Sequence, residues 1–228
     1  MQNVETLANI ALIARHGGTW FRQIGTASES GSVLVTVLGA VRRPGVVEVP
    51  LGTPFSELLA RCGGLTTSVQ ALLVGGYFGT FVPASCLGLT LSNEALRTQG
   101  ATLGARAVGV IPSEVCGVAE TARVIRYLAG ESAGQCGPCL FGLDALAGAV
   151  RSIAACDPNA AVAYARLARL EAQIEGRGAC AHPDGAVRLL ASSLRVFRDE
   201  FAAHLREHCT ASSFEPLLPI PAKRDDWR

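Results

Sequence analysis

The stretch "SVLVTVLGAVRRPGVVEVP", residues 32–50, decides the fold of the first half of the chain. Its two apolar, β-branched runs predict two strands. The "RRPG" between them predicts a turn, because Pro44 presets the bend and Gly45 permits a positive φ. The stretch therefore predicts a β-hairpin.

The elements around this hairpin predict a small α+β domain over residues 31–112. Next, "PFSELLARCGG" predicts a short helix that ends at glycine, and "ALLVGG", "GTFVP" and "ARAVGVIP" predict three more strands. Strands with one helix among them are consistent with a β-grasp. Residues 1–30 precede this domain as a short helix with apolar residues at helical spacing, followed by a polar connector.

From Ser113 onward the apolar spacing becomes helical, and Ser113 itself is a candidate N-cap. Further helices are predicted over about 141–155 and 159–174, and a last one follows the apolar repeat from Val187 to Leu205. Four amphipathic helices predict a four-helix-bundle-like domain over 113–210, with an extended tail at 211–228. The predicted fold class is thus α+β.

Length and charge limit the classes of function. The 228 residues suffice for two domains, and 20 basic against 19 acidic side chains give a net charge of +1, so no broad positive field indicates nucleic acid as a partner. No apolar run approaches the roughly 20 residues that span a bilayer, and the N-terminus does not resemble a secretory signal. We expect a cytoplasmic protein without membrane insertion. Its eight cysteines are Cys62, Cys86, Cys116, Cys136, Cys139, Cys156, Cys180 and Cys209.

In a reducing compartment, clustered cysteines bind metal more often than they form disulfides. Cys136 and Cys139 form a C-x-x-C pair in "ESAGQCGPC", residues 131–139, and Cys180 lies in a second glycine-rich loop between helices. In an antiparallel bundle these loops can fall at the same end, so three thiolates can converge. The alternative is a surface thiol pair with Cys180 incidental. Ala133 stands where one more cysteine would give an iron–sulfur pattern.

A fourth ligand is harder to assign. Cys116, Cys156 and Cys209 are separated from the C-x-x-C loop by helices of about 20 Å at 1.5 Å per residue. His182 is closer and could bind iron or complete a Cys3His zinc site. It could instead only cap the helix that begins near Pro183. Three thiolates alone would suit a three-iron cluster or a cubane with an exogenous ligand.

Four blocks of sequence together resemble one family. They are "QNVETLANIALIARHGGTWFRQIG", "LGAVRRPGVVEVPLGTPFSELLARCGGL", "ESAGQCGPC" and "GRGACAHPDG". In order and spacing they are similar to the C-terminal part of the flavin subunit of bacterial respiratory complex I, which is also called the F subunit of NADH-quinone oxidoreductase. This resemblance implies a ligand-binding β-grasp domain of the SLBB type. It also implies a helical domain whose [4Fe–4S] cluster takes electrons from FMN reduced by NADH.

Compared residue by residue, Cys136, Cys139 and Cys180 match three cluster ligands of the family, and Ala133 replaces the remaining cysteine. Asn3 and Glu5 match residues that lie near the flavin in relatives. The family binds FMN and NADH through an N-terminal α/β domain that would precede "NVETL". The sequence "GGYFG" lacks the βαβ setting of a phosphate-binding loop. We expect FMN and NAD to be held by a separate or missing domain.

The leading hypothesis is an iron–sulfur electron-transfer module, with a 4Fe-4S or 3Fe-4S cluster, that accepts electrons from a flavin held elsewhere. Its expected partners are a flavin- or NADH-binding polypeptide and other redox subunits, peripheral to a membrane complex. We do not expect the chain alone to oxidise NADH. The alternative hypothesis is an interaction or ligand-binding module, held by zinc or free of metal, without redox activity.

Overall fold

The computed structural model describes residues 2–213 and 215–221. It begins with helix α1 (Val4–His16) and the single turn α2 (Gly18–Phe21). The side chain of Asn3 caps α1 by accepting the N–H of Glu5 at 2.8 Å, as expected for an asparagine N-cap. Of the predicted extended tail, residue 214 and residues 222–228 lie outside the described residues.

The first half of the chain forms one five-stranded sheet with strand order β2-β1-β5-β3-β4. The predicted hairpin is the antiparallel pair β1–β2, and β1 also pairs in parallel with β5. Strand β3 pairs antiparallel with both β5 and β4. All five predicted strands are therefore present. Their bounds are β1 Ser32–Gly39, β2 Gly45–Pro50, β3 Val69–Val74, β4 Thr80–Pro83 and β5 Ala107–Pro112.

Short helical segments connect these strands. Helix α3 (Phe55–Arg61) was predicted, and it buries Phe55, Leu58 and Leu59. The 3₁₀ helix Ala84–Gly88 and helix α4 (Asn93–Arg97) were not predicted. Both are about one turn long, so neither shows an amphipathic repeat in the sequence.

The alternation of side chains along the strands gives the sheet two buried faces. On one face, Leu72 and Val82 pack with α3 in one apolar core. On the other face, Leu73 and Phe81 belong to a second core, which contains the helices of the C-terminal half. The Phe81 N–H donates to Ser192 Oγ at 2.9 Å across this contact. One face of the sheet thus packs against the helical half of the chain.

The helical half contains four long segments that match the four predicted helices. The second helix begins with a π-helical turn at Pro138–Leu143, in which Cys139 is buried. The bounds of the α-helices are α5 Gly117–Gly130, α6 Asp144–Ala154, α7 Ala160–Ile174, α8 His182–Val196 and α9 Arg198–His204.

Two local expectations were wrong. The N-cap of α5 is Cys116, whose Sγ accepts the Ala119 N–H at 3.3 Å. Ser113 instead donates its N–H to the Ser68 carbonyl and so extends the sheet contacts. The last predicted helix is interrupted at Phe197 (φ −101°, ψ 27°), which divides it into α8 and α9. Phe197 is buried, and its ring packs edge-on against Phe81 at 4.9 Å.

After α9 the chain returns across the molecule to α5. The buried Glu120 carboxylate accepts the N–H groups of Leu217 and Leu218 at 3.3 and 2.9 Å. Arg123 pairs with Glu120 at 2.6 Å and donates to the Leu218 carbonyl at 3.2 Å. A buried carboxylate needs such partners, so this network fixes the returning segment on α5.

Candidate iron–sulfur site

The C-x-x-C pair lies where the loop after α5 enters the π-helical turn. The Cys136 carbonyl accepts the N–H groups of Cys139 and Leu140 at 3.1 and 2.9 Å, which sets both cysteines on one tight turn. Cys136 is half-buried and Cys139 is buried.

The loop that carries Cys180 lies at the same end of the bundle as this turn, since His182 Nε2 is 2.8 Å from the Leu128 carbonyl near the end of α5. The Ala179 N–H, next to Cys180, lowers the pKa of Cys136, and the charge of Cys180 raises the pKa of Cys139. Cys180 itself is exposed. The three predicted residues Cys136, Cys139 and Cys180 thus lie at one end of the bundle, but among the described residues their sulfur atoms are not all within 4.8 Å of one another.

The two thiols of the pair differ in acidity. The amide N–H groups of Ala179 and Cys139 lower the pKa of Cys136, and the Cys139 thiol lowers it further. Burial raises the pKa of Cys139 to about 11, and the neighbouring Cys136 and Cys180 contribute to this rise. Amide donors aimed at sulfur stabilise a thiolate, the form that binds metal. This donor set fits an iron–sulfur cluster.

A close approach at Gly178 shapes the Cys180 loop. A Cβ atom at this position would lie 2.5 Å from Pro183 Cγ and 2.8 Å from the Cys180 carbonyl oxygen. Gly176 has φ +67°, and its N–H donates to Asp184 Oδ1 at 2.8 Å. The loop can reach the C-x-x-C turn because these positions carry no side chain.

His182 is held by contacts outside the cysteine group. Its Nε2 lies 2.8 Å from the Leu128 carbonyl at the end of α5. A carbonyl only accepts, so Nε2 carries the proton and Nδ1 is the nitrogen available to a metal. The ring also packs edge-on against Phe78 at 5.1 Å. These contacts give His182 a structural role between α5 and the β3–β4 turn.

The two residues expected near a flavin lie far along the chain from the cysteines. Asn3 is the N-cap of α1. Glu5 accepts the Leu34 N–H at 2.8 Å and pairs with Arg106, so it attaches α1 to the sheet. Ala133 is exposed in the loop before Cys136.

Sequence reasoning missed a second cysteine group at the other end of α5. The ligand atoms of Cys116, His204 and Cys209 all lie within 4.8 Å of one another. Cys156, at the end of α6, is close enough to Cys209 for the charge of Cys209 to raise the pKa of Cys156. Cys116, Cys156 and Cys209 are each about one helix length from the C-x-x-C loop. This shared distance could have indicated that the three cysteines lie together at the opposite end of the bundle.

Comparison with known proteins defines the class to which this arrangement belongs. Residues 34–76 match the SLBB domain, and residues 119–204 match the "NADH-ubiquinone oxidoreductase-F iron-sulfur binding region". The second range contains all three cysteines of the candidate site. The chain therefore combines an SLBB domain with an iron–sulfur-binding region. Within residues 2–213 and 215–221, no helix is long and apolar enough to cross a membrane.

The full-length relatives belong to redox complexes. The F 2 subunit of NADH-quinone oxidoreductase from Rhizobium meliloti is 35% identical over 210 residues, which cover 91% of this chain and 50% of the relative. The corresponding F subunit of Escherichia coli is 30% identical over 212 residues, 91% of this chain and 47% of the relative. The chain spans about half the length of these relatives. It is homologous to the C-terminal part of the F subunit of NADH-quinone oxidoreductase.

A solved structure shows the same fold. The crystal structure of an NAD⁺-reducing [NiFe]-hydrogenase in the H₂-reduced state matches with a TM-score of 0.81 and 29% identity. The match covers 91% of this chain and 35% of the hydrogenase chain.

Proposed function

We propose that the chain is an electron-transfer module whose iron–sulfur cluster is bound by Cys136, Cys139 and Cys180 and receives electrons from a flavin on another polypeptide or domain. The observation that supports this most is the contact of His182 Nε2 with the Leu128 carbonyl at 2.8 Å, which holds the Cys180 loop against the end of α5 that leads into the C-x-x-C loop. Both residues lie inside the range that matches the iron–sulfur-binding region.

A bound iron–sulfur cluster accepts and releases single electrons without proton transfer by the protein. The residues of the chain contribute its surroundings. Buried Cys139 holds one side in a medium of low dielectric, and the amide donors to Cys136 offset negative charge on sulfur. Both effects set a reduction potential. No general acid or nucleophile is required.

The alanine at position 133 leaves the cluster one cysteine short of the family's ligand set. Three thiolates are assigned, and the fourth position depends on the cluster type. A three-iron cluster needs no further ligand, whereas a four-iron cubane would take His182 Nδ1 or an exogenous ligand. The contacts of His182 with Leu128 and Phe78 are compatible with both cluster types, because the contact with the Leu128 carbonyl uses only Nε2.

We further propose that α1 docks on the flavin-binding polypeptide. Apolar side chains of α1 project into solvent, including Val4, Leu7 and Ile10, and this helix has no buried residue. The region shared with this chain makes up only 50% and 47% of two relatives. An exposed apolar helix face marks an interaction surface. FMN and NAD would be bound by that partner and not by this chain.

Exposed apolar residues also lie in the π-helical turn Pro138–Leu143, which carries Cys139 and is called the cysteine turn below. Leu140 and Phe141 are 54% and 71% exposed, and Phe141 lies two residues from Cys139. This surface would bring a second redox subunit close to the cluster. Apolar contact at such a surface excludes water from the path of the electron.

The decisive experiment is anaerobic purification with quantification of iron and acid-labile sulfide, followed by EPR of the reduced and oxidised protein. The wild type should contain iron and sulfide and show a cluster signal. Cys136→Ser should lose the signal, while Cys86→Ala, a buried cysteine in the sheet half, should keep it. The proposal fails if the reconstituted wild type contains no iron and no acid-labile sulfide, or if Cys136→Ser retains the cluster.

Two variants resolve the fourth ligand. Ala133→Cys should convert a three-iron signal into that of a four-iron cubane. His182→Ala should leave the wild-type signal unchanged if histidine is not a ligand. If His182→Ala alone changes the cluster type, His182 is the fourth ligand.

A further inference from the structure

The end of the bundle opposite the C-x-x-C loop contains a second group of metal-binding side chains. Cys116 precedes the first turn of α5, His204 is the last residue of α9, and Cys209 follows in the coil. The Cys116 Sγ and the His204 Nε2 are 3.3 Å apart. All three ligand atoms lie within 4.8 Å of one another.

The ring of His204 is oriented for metal binding. Its Nδ1 lies 3.0 Å from the Ile153 carbonyl, which can only accept, so Nδ1 carries the proton. The lone pair of a neutral imidazole is then on Nε2, which faces Cys116. Metal-binding histidines are commonly held in this way, with the second ring nitrogen donating to a carbonyl. The residue is 1% exposed, so the ring cannot turn toward solvent.

The surroundings of Cys116 suit a metal-bound thiolate. Its sulfur accepts the Ala119 N–H at 3.3 Å, and it lies at the positive end of the α5 dipole. Burial nevertheless raises the pKa of Cys116 to about 12, with the charges of Glu200 and Cys209 adding to the rise. Burial disfavours the negative charge of a thiolate when no cation is nearby. A divalent cation would supply the missing positive charge.

Cys156 is the fourth candidate ligand. It is half-buried at the end of α6 and has φ +51°, which is uncommon for a residue other than glycine. Its sulfur does not lie within 4.8 Å of all three other ligand atoms, so Cys156 would have to move toward them to bind the same ion. The nearby Glu200 is already engaged, because its carboxylate accepts the Gly117 N–H at 2.7 Å.

We propose that Cys116, His204 and Cys209, with Cys156 as the fourth ligand, bind a structural zinc ion. In a tetrahedral zinc site with bonds of about 2.3 Å to sulfur and about 2.0 Å to nitrogen, ligand atoms lie about 3.5–3.8 Å apart. Cys116, His204 and Cys209 need only small movements to reach this geometry, and Cys156 needs a larger one. The ion would tie the N-terminus of α5 to the ends of α6 and α9.

The burial of this group decides between a metal and a reactive thiol. Cys116 and His204 are 3% and 1% exposed, so a substrate cannot reach a Cys–His nucleophile here. A single ion fits among ligands at these distances. Three sulfurs and one imidazole form a set that zinc commonly occupies in closed structural sites.

The test uses the full chain with Cys136, Cys139 and Cys180 all replaced by serine, so that zinc in the proposed cluster site cannot contribute. This variant, purified with reductant and without chelator, should contain one zinc ion per chain. Adding Cys209→Ser should reduce zinc to background, whereas adding Cys86→Ala should not. Circular dichroism of each variant checks that it is folded.

Cobalt gives an independent readout. Titration of the metal-free triple variant with Co²⁺ should produce thiolate-to-cobalt charge-transfer absorption and the intense d–d bands of a tetrahedral site. Zinc at background in the folded triple variant, together with no such absorption, would overturn the proposal. So would full zinc retention after Cys209→Ser. Neither result bears on the iron–sulfur site, which this variant lacks.

Discussion

The contact between the cysteine turn and α7 allows a matched pair of substitutions six residues apart. A Cβ atom on Gly142 would lie 2.7 Å from Ile174 Cγ1 and 3.2 Å from its Cδ1, while a Cβ on Gly148 would meet nothing within 4 Å. Ile174 is fully buried. Gly142→Ala must therefore push the helices apart or force Ile174 off its rotamer, whereas Gly148→Ala fills empty space.

The magnitudes follow from the two environments. Carbon atoms at optimal contact are about 3.5–4.0 Å apart, so the new methyl at Gly142 is too close by about 1 Å. Such overpacking costs typically about 1–3 kcal/mol. Gly148→Ala should instead gain up to about 1 kcal/mol from helix propensity. We expect Gly142→Ala to be the less stable variant by about 2–4 kcal/mol, or several degrees in the melting temperature.

Urea and thermal denaturation monitored by circular dichroism would measure this difference, and iron content would report on the site. Gly142→Ala should also lower iron occupancy, because Gly142 lies three residues after Cys139 in the same turn. Ile174→Ala in the Gly142→Ala background should cost less than Ile174→Ala alone, since the new methyl fills part of the cavity. Equal stability of Gly142→Ala and Gly148→Ala would refute this packing of the cysteine turn against α7.

Three further predictions concern titration and the N-terminal helix. In the metal-free protein at neutral pH, iodoacetamide should modify Cys136 before Cys139, because the pKa of Cys136 is lowered and that of Cys139 is raised to about 11. Peptide mass spectrometry would show the order of modification, and equal rates at the two cysteines would contradict the prediction. Burial and the nearby Glu175 raise the pKa of Glu171, so ionisation of Glu171 opposes folding. The free energy of unfolding should therefore fall as pH rises through the folded-state pKa, and Glu171→Gln should remove this loss. Urea denaturation at a series of acidic pH values would measure both effects. Glu5→Ala should increase hydrogen exchange in α1, because Glu5 binds the Leu34 N–H and Arg106. The free energy of global unfolding should change by less than about 1 kcal/mol, as expected for a partly exposed ion pair. Unchanged exchange in α1 would show that other contacts hold the helix.

Much of the fold was predictable because its signals are local. Alternating β-branched residues indicated the five strands, and the hairpin followed from Pro44 and Gly45. The N-cap of α5 was missed because serine is the commoner cap, and Ser113 is instead used by the sheet through Ser68. The break at Phe197 has no breaker residue. It arises from a tertiary contact with Phe81, which no sequence window contains.

The site was predictable in part for a similar reason. The C-x-x-C spacing and the two glycine-rich loops predicted that Cys136, Cys139 and Cys180 lie at one end of an antiparallel bundle; that these cysteines bind a cluster stays a prediction. The group of Cys116, His204 and Cys209 was missed because each cysteine was judged only by its distance from that loop. The ends of α5, α6 and α9 meet only after the bundle is assembled, so their convergence depends on topology rather than spacing.

The core shared by the sheet and the helices limits how the two halves of the chain can be separated. Phe81 and Leu73 project from the sheet into the same core as the helices, so cleavage of the chain near residue 112 would leave a wide apolar face on both products. We expect neither half to be a stable protein when expressed alone, and the intact chain to melt in a single transition. A gene fusion or domain exchange in this family would therefore have to transfer the sheet and the helices together as one continuous segment.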